Sequence, residues 1–367
     1  MAFYPNDRPR EAAPAGEAPK VTSKRQSRLA AVIIVGVAAA SLIGAFLTDG
    51  PEAIAASLAG ADRLWLAAGA GCMLFYWLIE SGCLHLAAKR AFPGQRWHTS
   101  VVTSMIGQFF NCVTPFASGG QPVQAYYMAR QGMPVGRAGS VLLAKFIVYQ
   151  TVLALYSAAV LVFEYRNFSE NIPGFMGLAL LGFVVNFAVV VVLYCVGFFP
   201  RITGSFFESC LYILGRLRLV RDPEAAGRRV ASEIEAFHGG FTELRREGGL
   251  LLRLGGLTAV QLTAFFLVPY CVLRALGLNG MAPQDVIAAA AFILMISSFV
   301  PLPGASGGAE GSFLVFFGMF FRGSGSVSVA LLLWRLFTFY LPIVVGAVFV
   351  RHLSQPGRRQ QEAHPAA

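Results

Sequence analysis

The sequence predicts an all-α integral membrane protein with six full spans and two re-entrant helical hairpins, arranged as inverted-topology repeats. Hydrophobic residues make up 56% of the 367 positions and charged residues only 13%, about half the charged share of a soluble domain, and long apolar runs recur along the chain. In addition, residues 115–120 (PFASGG) return at 303–308 as PGASGG, with five of six positions identical. Two such breaks, at corresponding places of two halves, are typical of transporters whose site lies at the breaks.

The first half of the chain contains four apolar runs that are long enough to span a bilayer. Residues 1–24 precede them as a proline-containing cytoplasmic tail that we expect to be disordered, and the transmembrane domain follows over residues 25–352. The four predicted spans cover residues 29–48, 64–88, 138–163 and 174–199.

The first hairpin is predicted over residues 97–129. Residues 97–116 are only moderately apolar, and residues 121–129, after the break, are too few to cross a membrane. Non-helical backbone at membrane depth is tolerated only beside protein or a cavity, so this hairpin is expected to line a path. The residues assigned to its break are Pro115, Gly119 and Gly120.

The second half contains two further predicted spans, over residues 250–276 and 326–350. Between them, residues 285–321 form the second predicted hairpin, because the apolar stretches on either side of its break are each too short to cross. A second cytoplasmic tail, 353–367, is expected to be disordered. The residues assigned to this break are Pro301, Pro303, Gly304, Gly307 and Gly308.

The one sizeable loop, residues 200–249, is rich in arginine and contains an amphipathic pattern. Its apolar residues recur at spacings of four and three, which predicts one face of a helix, and we expect this face to lie on the membrane surface. A face that is simply solvated remains the alternative for its basic residues. The apolar positions are Val230, Ile234, Phe237, Phe241 and Leu244.

The distribution of positive charge supports this topology. With both termini in the cytoplasm of a bacterial cell and each hairpin returning to its own side, 23 of the 29 Lys and Arg residues lie on the cytoplasmic side of the inner membrane, as the positive-inside rule requires. This bias also explains the net charge of +10, so no nucleic-acid partner is expected. In this arrangement residues 64–163 and 250–350 are inverted copies, and the tips of the two hairpins can meet near the midplane.

Two cations interrupt the spans at corresponding places. Lys145 follows Gly120 by 25 residues, and Arg335 follows Gly308 by 27 residues. A charge at the centre of a span costs about 2.5–3.5 kcal/mol on insertion scales, which favours a substrate-binding role over a lipid-facing one, with snorkelling as the alternative.

Two carboxylates are predicted near the depth of these cations: Glu80 near Lys145, and Glu310 near Arg335. Each could act as a local counter-ion until an anionic ligand competes for the cation, or could accept a proton if transport is coupled to protons. A purely structural ion pair is the alternative. The breaks also supply backbone amides at the start of a helix, where an anionic head group could bind. The polar residues expected to line the path are Asn111, Thr114, Ser118, Gln121 and Ser306.

Several chemical signatures do not occur in the sequence. It contains no phosphate-binding loop, no paired His or Cys spacing for a metal and no nucleophile elbow. We therefore expect no cofactor, no metal and no catalytic residues.

The two breaks resemble the signatures of a known family. Residues 111–122 read N-x-x-T-P-F-x-x-G-G-x-P, with Tyr126 and Tyr127 following, and residues 301–310 read P-x-P-G-x-x-G-x-x-E. These stretches look like the two signatures of the lysyl-phosphatidylglycerol synthase transmembrane, or flippase-like, family. The resemblance covers residues 25–352 and departs from the family pattern at Ala305, where the family usually has glycine.

The resemblance implies translocation of a lipid between leaflets. In bifunctional members the domain is joined to a soluble aminoacyl-transferase domain, and we expect a stand-alone member without it, hence a transporter and not an enzyme. The resemblance does not identify the lipid. An anionic or modified phospholipid and a hopanoid are all compatible with it. Membrane lipids are the expected partners, with a homodimer and a separate lipid-synthesising enzyme as further possibilities.

Two other functions stay open at this point. One is a membrane-embedded enzyme or partner subunit that modifies lipids without moving them. The other is a secondary transporter of small solutes or ions that uses the same repeat. A cavity that opens laterally to lipid would favour the flippase, and a sealed pocket at the midplane would favour the solute carrier.

Overall fold

The structure is a computed structural model that describes residues 36, 50–171, 175–201, 204–205, 223–297, 300–318, 321 and 327–353. Within these residues the regular structure is helical. The predicted first span, 29–48, and both predicted tails lie outside the described residues, apart from Gly36 and Leu353. In the described part of the chain, five helices are long and apolar enough to cross a membrane: Arg63–Ala91, Val135–Glu164, Leu180–Phe198, Gly248–Ala275 and Val327–Leu353.

The α-helices are numbered in chain order, and the two breaks lie at residues 115–120 and 303–308. They are α1 (Pro51–Ala59), α2 (Arg63–Ala91), α3 (Trp97–Val113), α4 (Gly120–Arg130), α5 (Val135–Asn171), α6 (Phe175–Phe198), α7 (Pro223–Arg246), α8 (Gly248–Ala275), α9 (Pro283–Ser297), α10 (Gly308–Gly318), α11 (Val327–Arg335) and α12 (Leu341–Val350).

Helices α2 and α8 form the antiparallel pair at the centre of the fold. At one end, the backbone N–H of Asp62 donates to the carbonyl of Ala275 at 2.9 Å, and the Asp62 side chain caps α2. At the other end, Arg90 pairs with Glu247. These contacts join α2 and α8 at both of their ends.

Each break joins two helices that pack side by side. Helix α3 packs against α4, and α9 packs against α10. Helix α3 also contacts α2 and α12, and α9 also contacts α5, α6 and α8. The α3–α12 contact is close, because a Cβ on Gly346 would lie 2.8 Å from Cβ of Phe109.

The largest apolar cluster joins α2 and the second half of the chain. Phe292 on α9 stacks on Phe316 of α10, with ring centroids 5.8 Å apart, and Phe313 of α10 stacks on Trp334 of α11 at 4.9 Å. All four rings are buried. Helix α10 is therefore clamped on two sides by aromatic residues, although it is only 11 residues long.

The predicted surface position of the amphipathic helix is wrong for its C-terminal half. Helix α7 packs on α5, and Phe241 and Leu244 are 4% and 2% exposed. The backbone N–H of Gly136 donates to Glu233 Oε2 at 2.5 Å. The apolar face of α7 is thus used for protein packing, because small residues such as Gly136 on α5 allow the close approach.

The last span is also not one regular α-helix. Directly after Arg335 the chain takes a π-helical turn over Leu336–Tyr340 before α12 begins. Pro342 has no N–H to donate to the preceding turn, and the Thr338 hydroxyl donates to the carbonyl of Trp334 at 2.8 Å. The sequence analysis predicted a span over 326–350 but did not predict this turn.

Candidate functional site

The two breaks have the same backbone conformation in their first half. Phe116 lies at φ 54° and ψ 19°, and Gly304, its counterpart, at φ 61° and ψ 21°. The next residues, Ala117 and Ala305, have φ values of 51° and 54°. Three of these four positions hold a non-glycine residue in the left-handed region, which such residues rarely adopt. The repeated motif therefore specifies a repeated and strained turn.

The two breaks diverge at their serines. Ser118 has ψ −18°, whereas Ser306 has ψ 140°. Gly307 then takes φ 85°, while Gly119, its counterpart, has φ −78°. Identical residues thus have different backbone conformations in the two breaks, because their backbone N–H groups donate to different acceptors.

In the first break, the amides at the start of α4 already have side-chain acceptors. The N–H of Gly119 donates to Thr114 Oγ1 at 2.9 Å, and that of Gly120 donates to Asn111 Oδ1 at 3.1 Å. In the second break the N–H of Gly307 donates to Glu310 Oε2 at 2.6 Å. The prediction of free amides for an anion is therefore wrong at these three positions, because nearby polar side chains cap both helices.

The breaks contact each other through Pro115–Ala117 and Pro303–Ala305. The first break is exposed, with 60% of Phe116 accessible, whereas Pro303 and Ser306 in the second are buried. The predicted meeting of the tips is therefore present in the fold. In this contact the second break is the more buried of the two.

Arg335 is buried against the second break. Its Nε donates to Glu310 Oε1 at 2.7 Å, its Nη2 lies 2.7 Å from the same oxygen, and its Nη1 donates to the carbonyl of Gly304 at 3.0 Å. The guanidinium also lies over the rings of Trp334 and Phe339, 5.2 and 5.3 Å from their centroids. Such contacts suit a planar guanidinium better than an ammonium, so Arg335 is fixed in place.

Lys145 forms the corresponding pair in the first half. Its Nζ donates to Glu80 Oε1, and Gln261 Nε2 donates to Glu80 Oε2 at 2.9 Å. The side chains of Lys145 and Glu80 are 15% and 8% exposed. The site thus joins α2, α5 and α8, and both predicted counter-ions are present.

The counter-ions come from different places in the two halves. Glu80 lies on the long helix α2, whereas Glu310 lies in the first turn of α10, just after the break. The cations are at corresponding positions, but only Arg335 contacts a break directly. The two pairs are therefore related in charge and not in geometry.

The sequence analysis missed four polar residues at or beside the Lys145 pair as site residues: Gln261, which donates to Glu80, and Tyr76, Gln108 and Tyr149. The Tyr76 side chain hydrogen-bonds with Gln108 and with Tyr149, and both tyrosines lie close enough to Glu80 to interact with its charge. The sequence spacing could have indicated the two tyrosines. Tyr76 precedes Glu80 by four residues and Tyr149 follows Lys145 by four, which places each pair on one helix face.

Helix α3 connects the two charged sites. Gln108 hydrogen-bonds with Tyr76 on the Lys145 side, and Cys112, one turn later, lies within electrostatic range of Arg335. Asn111 lies between them and caps α4. One face of α3 therefore runs from the first pair to the second.

The remaining predicted site residues lie at the breaks themselves. The hydroxyl of Ser118 donates to the carbonyl of Pro115 at 2.9 Å, and that of Ser306 donates to Pro303 at 2.6 Å. Gln121 is half-buried in the first turn of α4. None of the hydrogen bonds described for these three side chains reaches Lys145 or Arg335.

A cleft of about 570 Å³ lies away from both pairs, at the end of α2 and the start of α8. It is an open cleft, and neither Lys145 nor Arg335 lines it. Among the residues that the structure describes, no group of three or more His, Cys, Asp or Glu side chains could hold a metal ion. The cleft is lined by Leu86, Lys89, Arg90, Glu247, Gly249, Leu250 and Arg253.

Comparisons with known proteins agree with a membrane protein. A UPF0104 membrane protein of Archaeoglobus fulgidus is 27% identical over 284 residues, which is 76% of this chain and 83% of the relative. The family model described as the lysylphosphatidylglycerol synthase TM region matches residues 30–346. That match includes all five described spans except the last residues of the fifth, both breaks and both ion pairs. The chain therefore belongs to the lysylphosphatidylglycerol synthase TM region family.

Proposed function

We propose that the protein moves a phosphate-bearing lipid between the leaflets of a bacterial inner membrane. The observation that carries the proposal is a pair of cations, the buried Arg335 and the half-buried Lys145. Each is paired with a carboxylate, and each lies on the second helix after a break, α11 and α5 respectively. Charged residues inside membrane segments are expensive and usually mark a substrate or ion path. The family, named for a synthase of a charged lipid, supports a lipid as that substrate.

In this proposal the chain has six spans, two re-entrant hairpins and inverted repeats. The correspondence of contacts supports it: exchanging α2, α3, α4 and α5 for α8, α9, α10 and α11–α12 maps each described helix pair of one half onto a pair of the other. The positions of the contacts at the two ends of the helix bundle support it too. Asp62, Ala275 and α1 lie at one end of the bundle, and Arg90, Glu247 and Arg137 lie at the other.

The proposed mechanism uses competition for the two cations. In the resting state each carboxylate neutralises its cation, so neither charge is left buried and unpaired. An incoming lipid phosphate replaces the carboxylate as the partner, first at one cation and then at the other. The head group passes along α3 between the pairs while the acyl chains stay in the bilayer. The chain itself makes and breaks no covalent bond.

A leaflet-resolved assay tests this function. Purified protein is reconstituted into vesicles with a fluorescent phosphatidylglycerol, and a membrane-impermeant quencher is added outside. In protein-free vesicles the quencher should leave the fluorescence of the inner leaflet, about half of the total. We expect the wild-type protein to expose this lipid to the quencher, so that the remaining fluorescence is lost. The Lys145→Ala and Arg335→Ala variants should behave like protein-free vesicles.

Two exposed cations provide matched controls. Lys89→Ala and Arg63→Ala remove the same charge from exposed helix ends and should translocate like the wild type. Each variant is first shown to be monodisperse with wild-type helicity. Wild-type translocation by folded Lys145→Ala and Arg335→Ala would refute the role of the two cations.

A further inference from the structure

The two cations are held with different firmness. Arg335 has contacts to Glu310, to the carbonyl of Gly304 and to two aromatic rings, and its side chain is 5% exposed. Lys145 is held by Glu80, and its side chain is 15% exposed. A lysine has a flexible stem and a single ammonium. An anionic ligand would therefore draw Lys145 away from its carboxylate more easily than Arg335.

Removing Lys145 would leave Glu80 in neutral surroundings. On its own helix Glu80 is near Tyr76 and Cys83, α5 contributes Lys145 and Tyr149, and α8 contributes Gln261. Through Tyr76, α3 contributes Gln108. Within the described part of the chain, the cation that pairs with this carboxylate is Lys145.

An ionised carboxylate in such a place is costly. The Glu80 side chain is 8% exposed, and without Lys145 it would keep the hydrogen bond from Gln261. A buried charge that loses its partner is destabilised by several kcal/mol. Such a group is normally neutralised by proton exchange instead of staying charged.

We propose that binding of a lipid phosphate to Lys145 is coupled to the uptake of one proton by Glu80. The inference rests on the proposed function and adds an energy coupling to it. The proton comes from water on the side to which the site is open, and it converts the Glu80 carboxylate to the carboxylic acid while the Lys145 ammonium pairs with the phosphate. One negative and one positive charge enter together, so the loaded site has the same net charge as the empty one.

Calorimetry of the full-length protein in detergent measures this proton directly. Dihexanoyl phosphatidylglycerol is titrated at one pH in buffers with different enthalpies of ionisation, and the slope of the binding enthalpy gives the number of protons taken up. We expect about one proton for the wild type and none for Glu80→Gln. The affinity of the wild type should fall with rising pH, by up to about tenfold per unit, and that of Glu80→Gln should not.

Two further variants make the result specific. Glu80→Asp keeps a carboxyl group and should keep proton uptake, even if its affinity changes. Glu235→Gln removes an exposed carboxylate of α7 and should behave like the wild type. Uptake that persists in Glu80→Gln would overturn the assignment of the proton to this residue.

The vesicle assay separates failure of this inference from failure of the proposed function. If wild-type protein translocates lipid and the rates of wild type and Glu80→Gln depend on pH in the same way, the proton coupling is wrong and the translocation stands. If the wild type neither binds the short-chain lipid nor translocates the long-chain one at any pH, both proposals fail together.

Discussion

The Nη1 atom of Arg335 donates a hydrogen bond to the carbonyl oxygen of Gly304 at 3.0 Å. This contact ties the buried cation of the last membrane helix to the turn that repeats the first break. Glu310, on the other side of that turn, binds both the guanidinium and the N–H of Gly307. The backbone of the second break and the Arg335–Glu310 pair are therefore linked by hydrogen bonds, so a substitution in one should displace the other.

Removal of the Glu310 charge should destabilise the protein strongly. Glu310→Gln would leave Arg335 buried, with 5% of its side chain exposed, and without its counter-ion. Breaking one side of a buried pair typically costs about 3–5 kcal/mol. We expect a clear fall in the unfolding temperature in detergent. The double variant Glu310→Gln, Arg335→Met should recover part of that loss, and a single variant as stable as the wild type would contradict the buried pair.

A methyl group on Gly304 should not be tolerated. A Cβ there would overlap the ring of Phe339, and the residue lies at φ 61°, which is unfavourable for alanine. We expect Gly304→Ala to lower stability by about 1–3 kcal/mol and to displace Arg335, so thermal unfolding and translocation should both be affected.

The first break offers the matched control for that variant. Phe116 occupies the corresponding position at φ 54° and is exposed, so Phe116→Ala keeps the same backbone with a small side chain and should be nearly neutral. Equal losses for Gly304→Ala and Phe116→Ala would show that the contact with Phe339 is unimportant.

Truncation of Phe241 should reveal the packing of α7. This residue is 4% exposed, and its ring lies against Phe198 of α6 with centroids 5.6 Å apart. Phe241→Ala should therefore cost about 3 kcal/mol, as for other buried phenylalanines. Phe199→Ala, at a residue that is 55% exposed, is the control. Similar unfolding temperatures for the two variants would instead favour an α7 that lies free on the membrane surface.

Asp285, at the start of α9, should destabilise the fold when it is ionised. Burial raises the pKa of this carboxyl above its usual value of 3.8, and the neighbouring Glu164 carboxylate raises it further. A raised folded-state pKa of an acid means that stability is lost as the pH rises from the unfolded pKa through the folded one. Asp285→Asn should therefore unfold at a higher temperature than the wild type at pH 7, with little difference below about pH 4.

The opposite ordering would contradict this prediction. If Asp285→Asn were less stable than the wild type at pH 7 and equal to it in acid, the carboxylate would be gaining stability from a favourable partner. Thermal unfolding followed at pH 4, 5.5 and 7 in one detergent distinguishes the two cases.

The sequence by itself determined the membrane class, the described spans and the two breaks. Hydrophobic length and the cost of a charge in a span are local properties, so they can be read along the chain without knowing its neighbours. For the same reason Lys145 and Arg335 could be singled out, and Glu80 and Glu310 could be named as their counter-ions from depth alone.

The tertiary structure decided what surrounds those charges. Tyr76, Tyr149 and Gln261 meet at Glu80 from three helices, and nothing in their sequence spacing fixes how those helices rotate against each other. The break residues diverge at Ser118 and Ser306 because the equivalent amides have different acceptors: the N–H of Gly119 donates to Thr114, and that of Gly307 donates to Glu310. The face of α7 meets α5 and not lipid because small residues let the helices approach. A hydrophobic pattern states that a face is buried, whereas the partner that buries it depends on packing between segments far apart in the chain.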